Sequence, residues 1–417
     1  MPIQLAVTVG GSCQPILTAI QDYQPDFVLF FATTGPNGSR RLVDGTEGGC
    51  APGGGNLVTQ AHLPPEKYVV LEIQEPDSLP ATYEVMRKAL QERVALQPAW
   101  RSIADYTGGT KTMSAALVLA ALDCSWELSL VVGMRTDLVK ALDGSQISSL
   151  VEGREILARR GIEEARTLFN QFAYAEAEAI LTSLLRAGAL SPAATRLVQE
   201  RITLCRGLDA WDRFDHASAR RLLQPFQGRM VPQWIFLKHL TEDGCRTRLE
   251  PVLDLVLNAQ RCAARRRFDD AVARLYRALE MLAQTRLLQL KPPLDTAEID
   301  LTALPEPAQK VFNQPENTGR IKIGLVRAYE LLQALNYPLG LAFAEQRTRL
   351  LDALLIRNQS ILAHGIRPVT LQDWQSIQAV VGGFLMLGLE QGLRRLPGVQ
   401  FPFLNDSGDL EPRKSYE

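Results

Sequence analysis

Apolar positions in the first ~150 residues fall into short, nearly unbroken runs at regular intervals. Five of them, Ile3–Val9, Phe27–Thr33, Tyr68–Ile73, Ser102–Thr107 and Leu128–Gly133, are predicted strands. Between them Tyr83–Leu96 and Thr110–Leu122 have the length and composition of helices. Strands exposed on one face alternate apolar with polar residues, and these hardly do. The pattern therefore predicts a parallel sheet covered by helices on both faces, an α/β domain over residues 1–150.

From about Glu152 the strand signal ends and Ala, Leu, Arg and Glu dominate. Three helix openings share a Phe-x-x-Ala pattern, at Phe172, Phe214 and Phe268. Their unequal spacing predicts helical hairpins rather than a regular solenoid. A helical connector is expected over 151–250 and a second helical domain over 251–395. That domain is predicted to hold helices at Arg265–Gln289, Ile321–Leu335, Leu341–His364 and Leu371–Arg395, interrupted by the proline-rich Pro292–Pro315. The polar end, 396–417, is expected to be disordered.

A chain of 417 residues exceeds one compact core. Its 45 basic and 46 acidic residues nearly cancel, which argues against a protein that coats duplex DNA or clings to an anionic membrane. A local basic patch on an RNA-cutting enzyme stays compatible with that balance. The cysteines Cys13, Cys50, Cys124, Cys205, Cys245 and Cys262 include no Cys-x-x-Cys pair, and their apolar surroundings predict buried thiols rather than disulfides. No basic region precedes the first apolar run, and no run reaches the ~18 residues of a membrane span, so a cytoplasmic protein is expected.

The sharpest local signal is Asp105–Leu117, DYTGGTKTMSAAL. A strand ends, Gly108 and Gly109 make a tight turn, and a helix starts near Thr110. Glycines let backbone approach a ligand, and the free N–H groups of a first helical turn attract an anion. Thr107, Thr110 and Thr112 offer hydroxyls and Lys111 a positive charge. The loop is too short for a Walker A motif and has Thr110 where glycine should precede the lysine, which disfavours ATP hydrolysis of that type. The first strand runs into a second polar turn of Gly10, Gly11, Ser12 and Gln14, and the second ends on Thr33 and Thr34. Ligands of open α/β sheets bind beyond the strands' carboxyl ends, where these turns would converge. The bland alternative is a glycine turn followed by a helix capped by Thr110. The glycine-rich Asp44–Asn56 reads either as a mobile lid or as an exposed insertion.

Only four histidines occur, His62, His216, His239 and His364. The last closes the run Arg357-Asn358-Gln359-Ser360-Ile361-Leu362-Ala363-His364-Gly365. On a continuous helix, Arg357 and His364 would return to within roughly 20° of one another, bordering an apolar sector of Leu351, Leu354, Leu355 and Leu362. This pair suits metal-independent RNA cleavage. RNA carries its own nucleophile, an imidazole moves the proton, and a guanidinium clamps the phosphate, with Asn358 orienting either the segment or the phosphate. A histidine before a glycine stop is also what a helix C-terminus favours for structural reasons alone.

VTVGGS (Val7–Ser12) together with DYTGGTKTMSAAL resembles the CARF domain, the Rossmann-like sensor of CRISPR-associated proteins. The Arg-Asn pair with its spaced histidine resembles the Arg-x4–6-His signature of HEPN ribonucleases, and Arg274–Gln284 (RLYRALEMLAQ) resembles the first HEPN helix. Front and back in that order resemble the ancillary ribonucleases of type III CRISPR systems. The resemblance implies a cyclic tetra- or hexa-adenylate as activator, held by Gly10, Gly11, Ser12 and Gln14 on one wall and by Thr107, Gly108, Gly109, Thr110, Lys111 and Thr112 on the other. It implies a homodimer in which Arg357, Asn358 and His364 cut single-stranded RNA without metal or other cofactor. The rival from another class is a non-catalytic regulator working through its helical half. It would want a basic recognition helix, whereas Arg220-Arg221, Arg265–Arg267 and Arg394-Arg395 alternate with acids. A third reading has the sensor crevice degrade its own ligand.

Overall fold

The fold is that of a computed structural model, which describes residues 1–35, 37–45, 50, 55–133, 146–151, 153–187, 190–242, 248–312, 319–390 and 399–413. Internal contacts divide the chain into two compact units, Met1–Gly161 with Ala187–Pro192, and Ile162–Arg186 with Ala193–Glu417.

The first unit runs β1 (Ile3–Thr8), α1 (Gln14–Tyr23), β2 (Phe27–Thr33), α2 (Arg40–Asp44), α3 (Leu57–Gln60), β3 (Tyr68–Ile73), α4 (Leu79–Leu96), β4 (Arg101–Asp105), α5 (Lys111–Asp123), β5 (Glu127–Val132) and β6 (Ile147–Val151). All five predicted strands form, β2 and β3 with the expected ends. Their order is β3-β2-β1-β4-β5-β6, and every pairing is parallel except β5 with β6. The final strand corrects the expectation of a purely parallel sheet. Ile147–Val151 is too short and too polar (ISSLV) to announce itself, and an antiparallel edge strand is a common addition to a parallel sheet.

Successive residues of the central strands enter opposite cores. Leu5, Val7, Val28, Phe30 and Ile103 pack with α1, α2 and α3 through Ile16, Ile20, Val43 and Leu57. Ala6, Leu29, Phe31 and Ala104 pack with α4 and α5 through Met86, Leu90, Met113 and Leu117. Both faces of the sheet are thus closed from water, the reason the strands read as continuous apolar runs. Each fully buried phenylalanine contributes roughly 1.5–3 kcal/mol.

The sixth helix, α6 (Gly153–Asn170), is followed by α7 (Tyr174–Arg186), α8 (Pro192–Asp212), α9 (His216–Leu223), α10 (Val231–Thr241), α11 (Glu250–Ala264) and α12 (Phe268–Leu288). Short pieces follow, β7 (Ile299–Asp300), α13 (Glu306–Val311) and β8 (Arg320–Ile321), before α14 (Leu325–Ala334) and α15 (Pro338–Asn358). The chain ends through α16 (Leu371–Ile377), a π turn at Gln378–Gly382, α17 (Gly383–Glu390), β9 (Phe403–Leu404) and β10 (Leu410–Glu411). The expected hairpins form, and α6–α7, α8–α9 and α11–α12 share one turn. In each, a residue in the left-handed region (Phe172, Phe214, Arg266) donates its N–H three residues back, and the next residue donates five back. The third Phe-x-x-Ala is out of step, because Arg266 rather than Phe268 occupies the turn. Between α12, α14, α15 and α17, Tyr329 stacks on Phe343 at 4.3 Å and meets Phe384 edge-on, while its hydroxyl donates to the Leu279 carbonyl.

Two further expectations are overturned. The tail is not disordered over 399–413. Gln400 accepts from Arg261 Nη1 (2.9 Å) and donates to the Leu257 carbonyl (3.0 Å), while its own carbonyl accepts from Gln233. Phe401 lies 3.8 Å beneath the Arg261 guanidinium and 4.9 Å from the Trp211 ring. Polar composition concealed a few anchor residues for which distant helices provide the partners. Second, Cys13 and Cys50 form a disulfide with Cα atoms 5.6 Å apart, whereas Cys205 and Cys262 are the buried thiols expected and Cys124 is a half-buried one. Pairing across 37 residues carries no local signal. Most of the proposed lid, at 46–49 and 51–54, lies outside the described residues, as do Cys245 and the expected end of the last helix at Arg395.

Candidate functional site

Strand order reverses between β1 and β4, so the crevice of this α/β sheet opens beyond their carboxyl ends. The two predicted glycine turns meet there. A Cβ on Gly10 would lie 2.7 Å from the Gly109 nitrogen, and one on Gly108 would strike the Thr8 carbonyl oxygen. The Thr8 hydroxyl donates to the Gly108 carbonyl at 2.7 Å, locking one turn on the other. Only glycine permits two backbones this close.

Gly11, Ser12, Gln14 and Lys111 are exposed around this junction, and Gly10, Thr107, Gly108, Gly109, Thr110 and Thr112 are half-buried. Thr110 caps α5, accepting from the Met113 N–H at 3.2 Å, and its hydroxyl proton goes to the Pro76 carbonyl. The Thr107 oxygen accepts from the Val131 N–H at 2.8 Å. These two hydroxyls, read from sequence as ligand donors, are therefore structural in large part. The N–H groups of Lys111 and Thr112 in the first turn of α5, with the Lys111 ammonium, have no partner among the described residues. Thr33 is engaged by Ser39, its hydroxyl accepting from the Ser39 N–H at 2.8 Å.

Beneath the turn is a chain of polar groups that sequence reading missed. Tyr23 donates to Ser129, Ser129 to Asp105 at 2.7 Å, and Asp105 also accepts the Thr107 N–H. Burial pushes the Asp105 carboxyl above its ordinary range, against the pull of these hydrogen bonds. Cys13, bridged to Cys50, sits at the N-cap of α1 directly after the first turn.

In the second unit, Arg357 and Asn358 are the last residues of α15, and His364 follows it in a turn. The expectation that Arg357 and His364 share a continuous helix is corrected. The N–H groups of Gln359 and Ser360 close the last turn, and the chain then folds back, with Arg367 N–H reaching the Gln359 carbonyl. A Cβ on Gly365 would strike that same carbonyl oxygen, so glycine permits the return. Helix-favouring Ile, Leu and Ala hid the break.

Asn358 is nonetheless hydrogen-bonded to both of the other predicted residues, to Arg357 by its side chain and to His364 by its backbone. Its side-chain oxygen accepts from Arg357 Nη1 at 3.2 Å, and its backbone carbonyl accepts from the His364 N–H at 3.2 Å. Asn358 and His364 are exposed and Arg357 half-buried. The arrangement offers an exposed imidazole on the turn that follows α15 and a half-buried guanidinium at the end of that helix, without the helical register expected of them. Leu355, Ile361, Leu362, Ile366 and Leu371 flank it and are all exposed, Ile366 at 90%. Among the described residues no three His, Cys, Asp or Glu side chains gather as a metal site requires, and no helix is long and apolar enough to cross a membrane.

A family model described as the Csm6 HEPN domain matches residues 245–387, and one described as the Csm6 6H domain matches residues 157–243. No curated protein matches the chain. Among solved structures, Enterococcus italicus Csm6 bound to cyclic hexa-2'-fluoro-hexa-dAMP aligns over 94% of this chain and 95% of its own, at 12% identity and a TM-score of 0.61. Can2 from Sulfobacillus thermosulfidooxidans in complex with cyclic tetra-adenylate aligns over 53% of this chain and 68% of its own, at 13% identity and a TM-score of 0.23. The first likeness is one of fold, and it spans both units.

Proposed function

The chain belongs to the Csm6 family of CRISPR-associated CARF–HEPN proteins, and from that premise we propose that it is a cytoplasmic endoribonuclease switched on by a cyclic oligoadenylate. The observation that carries the reading is the linkage of Arg357 and His364 through Asn358, within the segment matched as a HEPN domain. The 2′-hydroxyl of the RNA attacks the adjacent phosphorus, His364 handles the proton, and the 5′-oxygen leaves, giving a 2′,3′-cyclic phosphate and a 5′-hydroxyl. Arg357 stabilises the charge that builds on the phosphate. The RNA supplies the nucleophile and the protein supplies proton transfer and charge stabilisation, so the proposed step calls for no metal.

The activator lies over the Gly10 and Gly108 turns. Its phosphates meet the free N–H groups of α5 and the Lys111 ammonium, and its ring is shared by the sensor domains of a homodimer. A hundredfold stimulation requires the active arrangement to bind the ring about 2.7 kcal/mol more tightly than the idle one. Five large apolar side chains exposed between Leu355 and Leu371 favour a second copy of the chain at the catalytic loop.

Labelled single-stranded RNA incubated with the protein, EDTA and cyclic tetra- or hexa-adenylate tests the reading. Cleavage is expected only with the cyclic nucleotide, and His364→Ala lowers it by roughly 10²–10⁴-fold. Lys111→Ala raises the ligand concentration needed and leaves the rate at saturation unchanged. Cleavage that ignores the nucleotide, or that survives His364→Ala, overturns the scheme.

A further inference from the structure

Arg357 does more than end a helix beside Asn358. Its guanidinium carbon lies 4.2 Å from the centroid of the Tyr276 ring, on α12. Its Nε is buried without a hydrogen-bond partner, and Nη1 donates to Asn358. The guanidinium is therefore held on one face by an aromatic ring and at one end by a carboxamide, while the Nη2 donors stay unclaimed among the described residues. The Tyr276 hydroxyl has no hydrogen bond with the described residues, so what it supplies here is its ring face. The ring face carries negative electrostatic potential and attracts a cation, and a planar guanidinium can lie against such a face as an ammonium cannot.

We propose that Tyr276 is a positioning residue of the nuclease site, a platform that fixes the Arg357 fork in the orientation that meets the scissile phosphate. The inference rests on the proposed RNA cleavage and adds to it a residue from a different helix. An arginine side chain rotates freely about several bonds, and a clamp that acts only in the transition state loses rate when its orientation is not set beforehand. Stacking on α12 sets it. Tyr276 touches no reacting atom, so its loss lowers kcat and spares KM.

Two substitutions separate ring from hydroxyl and from bulk. Tyr276→Leu keeps apolar volume without the ring face, and kcat is expected to fall about tenfold with KM within about twofold. Tyr276→Phe keeps the face and restores kcat to near wild type. A readout independent of cleavage is the Nε–H resonance of Arg357 in protein labelled with ¹⁵N-arginine, identified by its loss in Arg357→Lys. It is expected to be shifted by the ring and slow to exchange with water, to stay so in Tyr276→Phe, and to join the other arginine resonances in Tyr276→Leu. An unmoved resonance in Tyr276→Leu overturns the platform, and so does a Tyr276→Phe variant as impaired as Tyr276→Leu. A ring-shifted resonance alongside cleavage that survives His364→Ala sinks the reaction instead and leaves the platform standing.

Discussion

Asp105 ends β4 almost wholly shielded from water, yet it accepts hydrogen bonds from Ser129 and from the Thr107 backbone. Burial outweighs those bonds and raises its pKa above the ordinary 3.8. The folded chain then holds this proton more tightly than the unfolded chain. Stability from this group is complete below 3.8 and is lost as pH rises through the raised value. Asp105→Asn cannot ionise, so the variant should gain stability relative to wild type as pH rises from 3.8 through the raised value. Urea midpoints across that range provide the check, and a difference independent of pH would dismiss the idea. The glycines, Lys111 and the Arg-Asn pair were legible because residue type alone declares backbone freedom, charge or acid–base capacity. Asp105, Ser129 and Tyr23 were not, since their roles come from pairing across 24 and 106 residues. Tyr276 was hidden in the same way, as one aromatic residue on an amphipathic helix.

The five parallel strands of the first unit, with α4 and α5, follow the apolar pattern closely, because burial on both faces leaves an unmistakable run, whereas α1, α2, α3 and β6 were not foreseen. Helix ends were harder. α15 stops at Asn358 because the returning chain takes up its last carbonyls, a decision made by Gly365 and Arg367 rather than by the helix's own residues. The tail shows the same dependence on partners. Phe401, 1% exposed, fills a space walled by Trp211, Tyr174 and the Arg261 guanidinium. Phe401→Ala is expected to destabilise the helical unit by about 3–5 kcal/mol, read from urea unfolding. An unchanged midpoint would mean that 399–413 contributes nothing to the fold. Ion pairs nearby that reach water, such as half-buried Arg166 with exposed Asp406, matter far less, because water screens them.

At the scale of the whole molecule, the proposed reaction calls for two copies of one short loop, and the side chains around that loop suit a partner better than water. Isolated exposed leucines are unremarkable, but Leu355, Ile361, Leu362, Ile366 and Leu371 belong to one segment and bracket Arg357 and His364. Ile366→Asp should convert a dimer, by light scattering, into monomer and lower RNA cleavage at least tenfold while the cyclic nucleotide still binds. A fully active monomer would dispose of the composite site. By itself the sequence determined five strands and the helices α4 and α5 of the first unit, the covered sheet, the two glycine turns and the candidate residue types, since each depends on local periodicity or on what one side chain can do. Tertiary structure alone decided the antiparallel β6, the Cys13–Cys50 bond, the docked tail and the joining of Arg357 to His364 through Asn358. Those features depend on which distant or returning segment supplies a hydrogen-bond partner, a sulfur or a ring face, and no local pattern carries that choice.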